Sequence, residues 1–262
     1  MSRTQNTSRE HDRGTEPSDA DPTAALRGAT GFIAPGHLTP ETLQGLGEWL
    51  HATPSRPFVL RDFVEPGQAA AMGAAMRALP VWTRCVTAFR NESETEDIPA
   101  RDWAEHPRRA AHHNVARDLR SALEEGAMSA EHQIALRRFL SRAALGDVLR
   151  NWITAGTGIR LTSKEASLEL ASYDAGDQIR PHQDLVPRRV FAVNFYLDEE
   201  YRPGTGGRLV YRNEEDDEFA VEPLFNTFSV IQIRPDAWHH VEAYEGTGTG
   251  RFTVSVGLHG SE

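Results

Sequence analysis

From about residue 167 onward, apolar side chains recur at every second position. "RFTVSVGLH" sets Phe252, Val254, Val256 and Leu258 on one side and Arg251, Thr253, Ser255 and Gly257 on the other. "RRVFAVNFYLD" opposes Phe191, Val193, Phe195 and Leu197 to Asn194 and Tyr196 in the same way. A period of two is that of a strand with one apolar face. "ASLELASYD", "GRLVYRN", "DEFAVEP", "TFSVIQI" and "WHHVEAY" are further short runs, separated by Gly, Pro, Asp and Asn signals. Seven or eight strands in about 95 residues, with no helical spacing between them, predict an antiparallel sandwich or jelly roll.

The earlier part of the chain reads differently. Gly36–Leu50 opens on Thr39-Pro40, a helix start. A brief strand then precedes a helix in which Ala69, Met72, Met76 and Leu79 keep helical spacing up to Pro80, a stripe suited to core packing. Residues 91–97, "NESETED", form an acidic loop, and from about 115 to 154 Leu136, Phe139, Leu140, Ala143 and Val148 mark another helical stripe. Residues 1–29 are polar and predict a disordered tail. The expected organisation is that tail followed by a single α+β domain over 30–262. Residues 30–165 are its mainly helical support, packed on one sheet, and 166–262 form a double-stranded β-helix, or jelly-roll, core.

Composition narrows the partners. A formal charge of −10 and a pI near 5.6 disfavour a nucleic-acid binder. Cys85 is the only cysteine, so no internal disulfide forms. No apolar run approaches the ~20 residues that cross a bilayer, and the N-terminus lacks a secretory h-region. The expectation is a soluble, cytoplasmic protein with neither nucleic-acid nor membrane partners; oligomeric state is left open.

Candidate chemistry centres on "RPHQDL". His182 and Asp184 are two apart and point the same way on an extended segment, although His-X-Asp alone also suits a polar turn. His239 lies 55 residues beyond Asp184, far enough to return across a roll, with His240 as its competitor. Two imidazoles and one carboxylate hold Fe(II) while leaving adjacent positions open. Arg251 offers a fork for a carboxylate, with Thr253 on the same face. His112-His113 lacks an acid or Cys at ligand spacing and reads as surface. The run 212–218, "RNEEDDE", reads as a solvated hairpin turn, the alternative being an acidic lip that attracts a basic substrate; the acidic loop 91–97 falls under the same choice.

In order along the chain stand Tyr173-Asp174-Ala175-Gly176, His182-Gln183-Asp184, Tyr196-Leu197-Asp198, Gly206-Gly207-Arg208-Leu209, His239-His240-Val241 and Arg251-Phe252-Thr253. This set, within about 168–259, resembles the Fe(II)/2-oxoglutarate-dependent dioxygenases, particularly their prolyl 4-hydroxylase-like branch. The resemblance implies that His182, Asp184 and His239 are the catalytic iron ligands. It implies that Arg251 pairs with the far carboxylate of 2-oxoglutarate in a pocket lined by Tyr196, Tyr173 and Thr253, and it sets Arg189 near the mouth as a candidate substrate contact. The implied cofactors are Fe(II), 2-oxoglutarate and O2, with ascorbate as an optional reductant. The implied reaction is hydroxylation of an unactivated C–H on a small molecule or peptide. The target is an amino-acid side chain (free, peptidyl or carrier-tethered) or a secondary-metabolite scaffold, with the helical region as the place of substrate recognition. The carboxylate of Asp184 argues against a halogenase. Two other readings stay open: a cupin-like metal-dependent hydrolase or isomerase, which has no need of Arg251, and a catalytically silent sensing or binding relative.

Overall fold

The computed structural model describes residues 21–53, 56–91, 94–124 and 128–261. Helix α1 (Pro22–Ala29) is capped by Asp21, whose side chain accepts from the Thr23 N–H at 2.9 Å. Thr39 caps α2 (Pro40–Ala52), and Glu65 caps α3 (Pro66–Arg77) after the short strand β1 (Phe58–Leu60). Each of these helices has Pro in its first turn, where a missing N–H costs nothing. Three strands follow: β2 (Trp82–Phe89), β3 (Thr95–Asp97) and β4 (Arg109–Ala116). Then come α4 (Leu119–Glu124), α5 (Ala130–Leu140), a π-helical turn (Ser141–Leu145) and α6 (Val148–Thr157), which ends on Gly158 at φ 74°.

The rest of the chain is strand: β5 (Leu161–Tyr173), β6 (Gln178–His182), β7 (Arg189–Tyr196), β8 (Leu209–Arg212), β9 (Glu218–Val221), β10 (Thr227–Gln232), β11 (Trp238–Val241) and β12 (Gly250–Gly260). They pair antiparallel in the order β1-β10-β7-β12-β5-β4-β6-β11-β8-β9, a nearly closed jelly roll. Strand β4 joins its two halves, pairing Asn114 with Ser172 of β5 and Ala111 with Ile179 of β6. The β2–β3 hairpin extends outward from β4.

The alternation read from the sequence decides the layers. Phe191, Val193, Phe195, Phe252, Val254, Val256 and Leu258 are buried against the helices together with Leu46, Met72, Phe139 and Trp152. Phe63 stacks on Phe228 at 4.0 Å within this layer, and Phe139 meets Phe195 edge-on at 5.3 Å. The opposite faces of the same strands look into the roll.

Three expectations are corrected. Residues 22–29 form α1 instead of a tail: Ala25 and Ala29 are buried, and the polar neighbours face outward; residues 1–20 lie outside the described part. The region 81–116 is built mainly of the strands β2, β3 and β4 with one short 3-10 turn at Ala100–Asp102, because β4 supplies the seam of the roll and β2 pairs with it; the acidic segment 91–97 ends in β3, and its residues 92–93 are outside the described part. His112 and His113 are not surface residues. They sit on β4, with His113 3 % exposed and His112 paired to the buried Asp177 at 2.8 Å.

Gly73 brings α3 onto the chain just after β7: a Cβ there would lie 2.4 Å from the Leu197 carbonyl oxygen. Gly73→Ala is expected to destabilise the fold by about 1–3 kcal/mol through overpacking against backbone, read as a lowered midpoint in urea unfolding with an unchanged slope.

Candidate metal centre

His182 ends β6, and His239 lies directly opposite it on β11. Their rings are 4.2 Å apart between centroids. Asp184 follows β6 by two residues, where the Gln183 side chain donates to the Pro235 carbonyl and the Val186 N–H to the Asp184 carbonyl at 2.7 Å. The carboxylate so held stands 3.8 Å from His182 Nε2 and 3.7 Å from His239 Nε2. One ligand atom from each residue lies within 4.8 Å of the others, the one such group of three among the described residues.

The donor set fits a divalent iron ion. His182 Nδ1 lies 2.9 Å from the Arg180 carbonyl, which only accepts, so Nδ1 carries the proton and Nε2 keeps its lone pair toward Asp184. Burial and the neighbouring His239 pull the His182 imidazole down to about 4, against the opposing pull of Asp184. Burial alone would raise the Asp184 carboxyl, but His239, His182 and Arg189 hold it well below the usual range. Both groups are therefore in their ligating forms at neutral pH. His240 lies on the other face of β11, pairing with Val210 and outside the cluster.

The triad opens into a cavity of about 430 Å³ within the roll. At one end is Arg251, 3 % exposed, its guanidinium carbon 4.3 Å from the Tyr173 ring centre and 5.6 Å from that of Tyr196. Its Nη1 donates to Thr253 Oγ1 at 3.2 Å, and its Nε to the Gly207 carbonyl. Burial pushes both phenols up, against the partial relief of Arg251, so they stay neutral donors. The other wall carries Ser255, donating to Asn194 at 2.7 Å, and Glu169, 3.4 Å from His113 Nε2. His113 in turn stacks on Tyr173 at 5.4 Å.

Arg189 reaches into this cavity across Gly257, where a Cβ would meet its Nε at 2.8 Å. Its Nη1 lies 3.0 Å from Asp184 Oδ2, and its Nη2 donates to Ser167 at 2.9 Å. The guanidinium is thus already engaged by the wall, a tie that the sequence did not reveal.

Arg251 owes its position to residues whose part is not visible in one dimension. It adopts φ 49°, a conformation costing an L-residue about 1–2 kcal/mol. The strain is held by Asp198, 2 % exposed, whose Oδ2 accepts from the Arg251 N–H at 2.6 Å while Oδ1 accepts from the Glu200 N–H at 3.1 Å and from Arg77 at 3.2 Å. Gly207, at φ 70°, leaves room for the Arg251 stem, since a Cβ would sit 2.9 Å from its Cδ. Both residues belong to motifs quoted from the sequence. Nothing in the motifs themselves tells that they brace an arginine.

Residues 168–258 match the 2OG-Fe(II) oxygenase superfamily, about a third of the chain. A curated relative, prolyl 3-hydroxylase OGFOD1 of Xenopus laevis, is 26 % identical over 125 residues, 45 % of this chain and only 24 % of that protein's length. Among solved structures, a Pseudomonas putida prolyl-4-hydroxylase superposes with TM-score 0.57 at 18 % identity, covering 84 % of this chain and 100 % of that one. A prolyl hydroxylase from Trichoplax adhaerens, solved with a hypoxia inducible factor oxygen degradation domain peptide fragment, gives TM-score 0.58 at 14 % identity, covering 84 % and 90 %. At such identities these two establish the shared fold. The superfamily implies Fe(II) and 2-oxoglutarate, and the His182–Asp184–His239 cluster fits the iron.

Asp198→Ala would leave the Arg251 N–H and the Arg77 guanidinium without their acceptor. A loss of about 1–3 kcal/mol is expected for the buried donor, measured by urea denaturation. Weaker 2-oxoglutarate binding should accompany it, read by calorimetric titration.

Proposed function

We propose that the protein is an Fe(II)- and 2-oxoglutarate-dependent hydroxylase acting on a prolyl residue within a polypeptide. The observation that carries the reading is the presence, in one cavity, of a two-histidine, one-carboxylate cluster and a buried, aromatic-flanked arginine. A cupin-like hydrolase has no use for that arginine. The peptide substrate is supported by the similar structures, prolyl hydroxylases of which one was solved with a peptide fragment.

In this reading His182, Asp184 and His239 hold the iron. When bound, Fe(II) with 2-oxoglutarate supplies the power to hydroxylate an unactivated C–H with dioxygen, the oxo-acid being decarboxylated to succinate. The chain supplies position and environment. Arg251 presents its fork to the far carboxylate of the cosubstrate, where charge-assisted bonds are strongest because water is excluded. Tyr173 and Tyr196 keep the guanidinium in place through their ring faces, and Thr253 adds a hydroxyl. Arg189 orients the Asp184 carboxylate, as its 3.0 Å contact suggests, in place of reaching freely to substrate. Asn194 and Ser255 line the wall with hydrogen-bonding groups suited to a peptide unit.

Asp184→Ala is expected to abolish Fe(II)-dependent 2-oxoglutarate turnover, a fall of at least about 100-fold in succinate formation. Arg251→Ala should raise the 2-oxoglutarate requirement by about 10- to 100-fold, as loss of a charge-assisted pair worth roughly 1.5–3 kcal/mol dictates, while iron binding persists. Anaerobic titration, following the visible band that needs Fe(II) and 2-oxoglutarate together, checks both; an unchanged requirement in Arg251→Ala would sink the assigned anchor.

A further inference from the structure

Beside the metal cavity lies a second, open depression of about 350 Å³, walled by Phe89, Arg108, Arg109, Arg180, Pro181 and Trp238 with Asn91 and Pro107 at its ends. Phe89 lines both hollows, so the two are neighbours separated by a single side chain. Pro181 and Trp238 immediately precede His182 and His239, which fixes the groove to the outer side of the triad.

Its charge is out of keeping with the rest of the molecule. The chain carries a formal charge of −10, yet among the described residues this wall holds three arginines and no carboxylate. Elsewhere Arg77, Arg84, Arg189, Arg208 and Arg234 are each paired to a carboxylate. Among the described residues, none of the three groove guanidiniums makes such a pair. Arg109 donates to the Ala104 carbonyl at 3.1 Å and Arg180 to the Gln178 side chain at 3.5 Å, while Arg108 is exposed. Trp238 is 37 % exposed, a large apolar ring left open to solvent. Guanidiniums without carboxylate partners beside the exposed Trp238 and the half-buried Phe89 form a surface suited to carboxylates: planar forks for the charge and flat faces for the attached chain.

Resting on the reading of the cavity as an oxygenase site for a polypeptide, we propose that this groove binds the segment flanking the target residue and selects acidic side chains there. An extended segment advances about 3.3 Å per residue, so carboxylates a few positions from the inserted residue reach Arg108, Arg109 and Arg180. A nucleic acid fits less well. Its continuous charge would be repelled by a chain of formal charge −10, whereas a few discrete carboxylates need only the arginines.

The test uses the full chain and fluorescein-labelled peptides centred on Pro, identical except for flanking Glu, Gln or Lys. Anisotropy should show the Glu peptide binding at least about ten-fold tighter than the Lys peptide, with the advantage shrinking as salt rises. In the double variant Arg108→Glu/Arg109→Glu the order should invert, while the anaerobic Fe(II)/2-oxoglutarate band stays as in the wild type and reports an intact fold. No charge preference, no binding of any peptide, or a preference that survives the double substitution overturns the proposal. So does tight binding of a labelled single-stranded DNA that the double substitution removes. Absence of the band in the wild type would instead overturn the oxygenase reading, whatever the peptides do.

Discussion

The register of β12 is the constraint on which the rest of the molecule hangs. This strand is paired on both sides, Val254 with Leu170 of β5 and with Phe195 of β7. A slip of one residue would exchange its two faces. Phe252, Val254, Val256 and Leu258 would enter the polar cavity, and Arg251 would be driven into the apolar layer beneath the helices. Burying four large side chains fixes the direction of the fifth. The same hydrophobic energy that packs helices on the outer face therefore aims the cationic side chain inward, with no separate device needed to choose its direction.

Aim alone does not give position. Arg251 departs from strand geometry at its own backbone, and the ladder between β12 and β5 is irregular between Gly250 and Thr253. The carboxylate of Asp198 and the bare backbone of Gly207 hold that departure in place from two different loops. The site is thus built in two tiers: regular pairing brings His182 opposite His239, and irregular, hydrogen-bonded loops adjust Asp184 and Arg251 to match. Strain is concentrated where a charged group must be held in a fixed orientation, as is usual for binding sites.

How much of this could be read in one dimension depended on whether a strand has two unlike faces. β7, β10 and β12 each set large apolar residues against small or polar ones, and their alternation was plain. β4, "RAAHHNVA", has no such contrast: Ala110, His113 and Val115 are buried on one side and His112 lies against Asp177 on the other. Its neighbour β2 falls within the stretch expected to be mainly helical for the same reason. Helix α1 escaped notice because its buried face is only Ala25 and Ala29, too small to lift a polar composition. The three members of the metal cluster were legible through spacing. The bracing of Arg251 by Asp198 and the tie from Arg189 to Asp184 were not, since each depends on a meeting between distant elements.

The seam made by β4 has a consequence for how the cavity walls are assembled. The strand that closes the roll between β5 and β6 comes from the earlier half of the chain, and it brings the β2–β3 hairpin with it. One wall of the reaction chamber and one bank of the groove are therefore carried on a removable panel, while the metal-holding residues sit on the fixed frame. The panel reaches the cosubstrate end through His113, whose ring stacks on Tyr173. Cavity wall and metal cluster are thus carried on separate stretches of polypeptide.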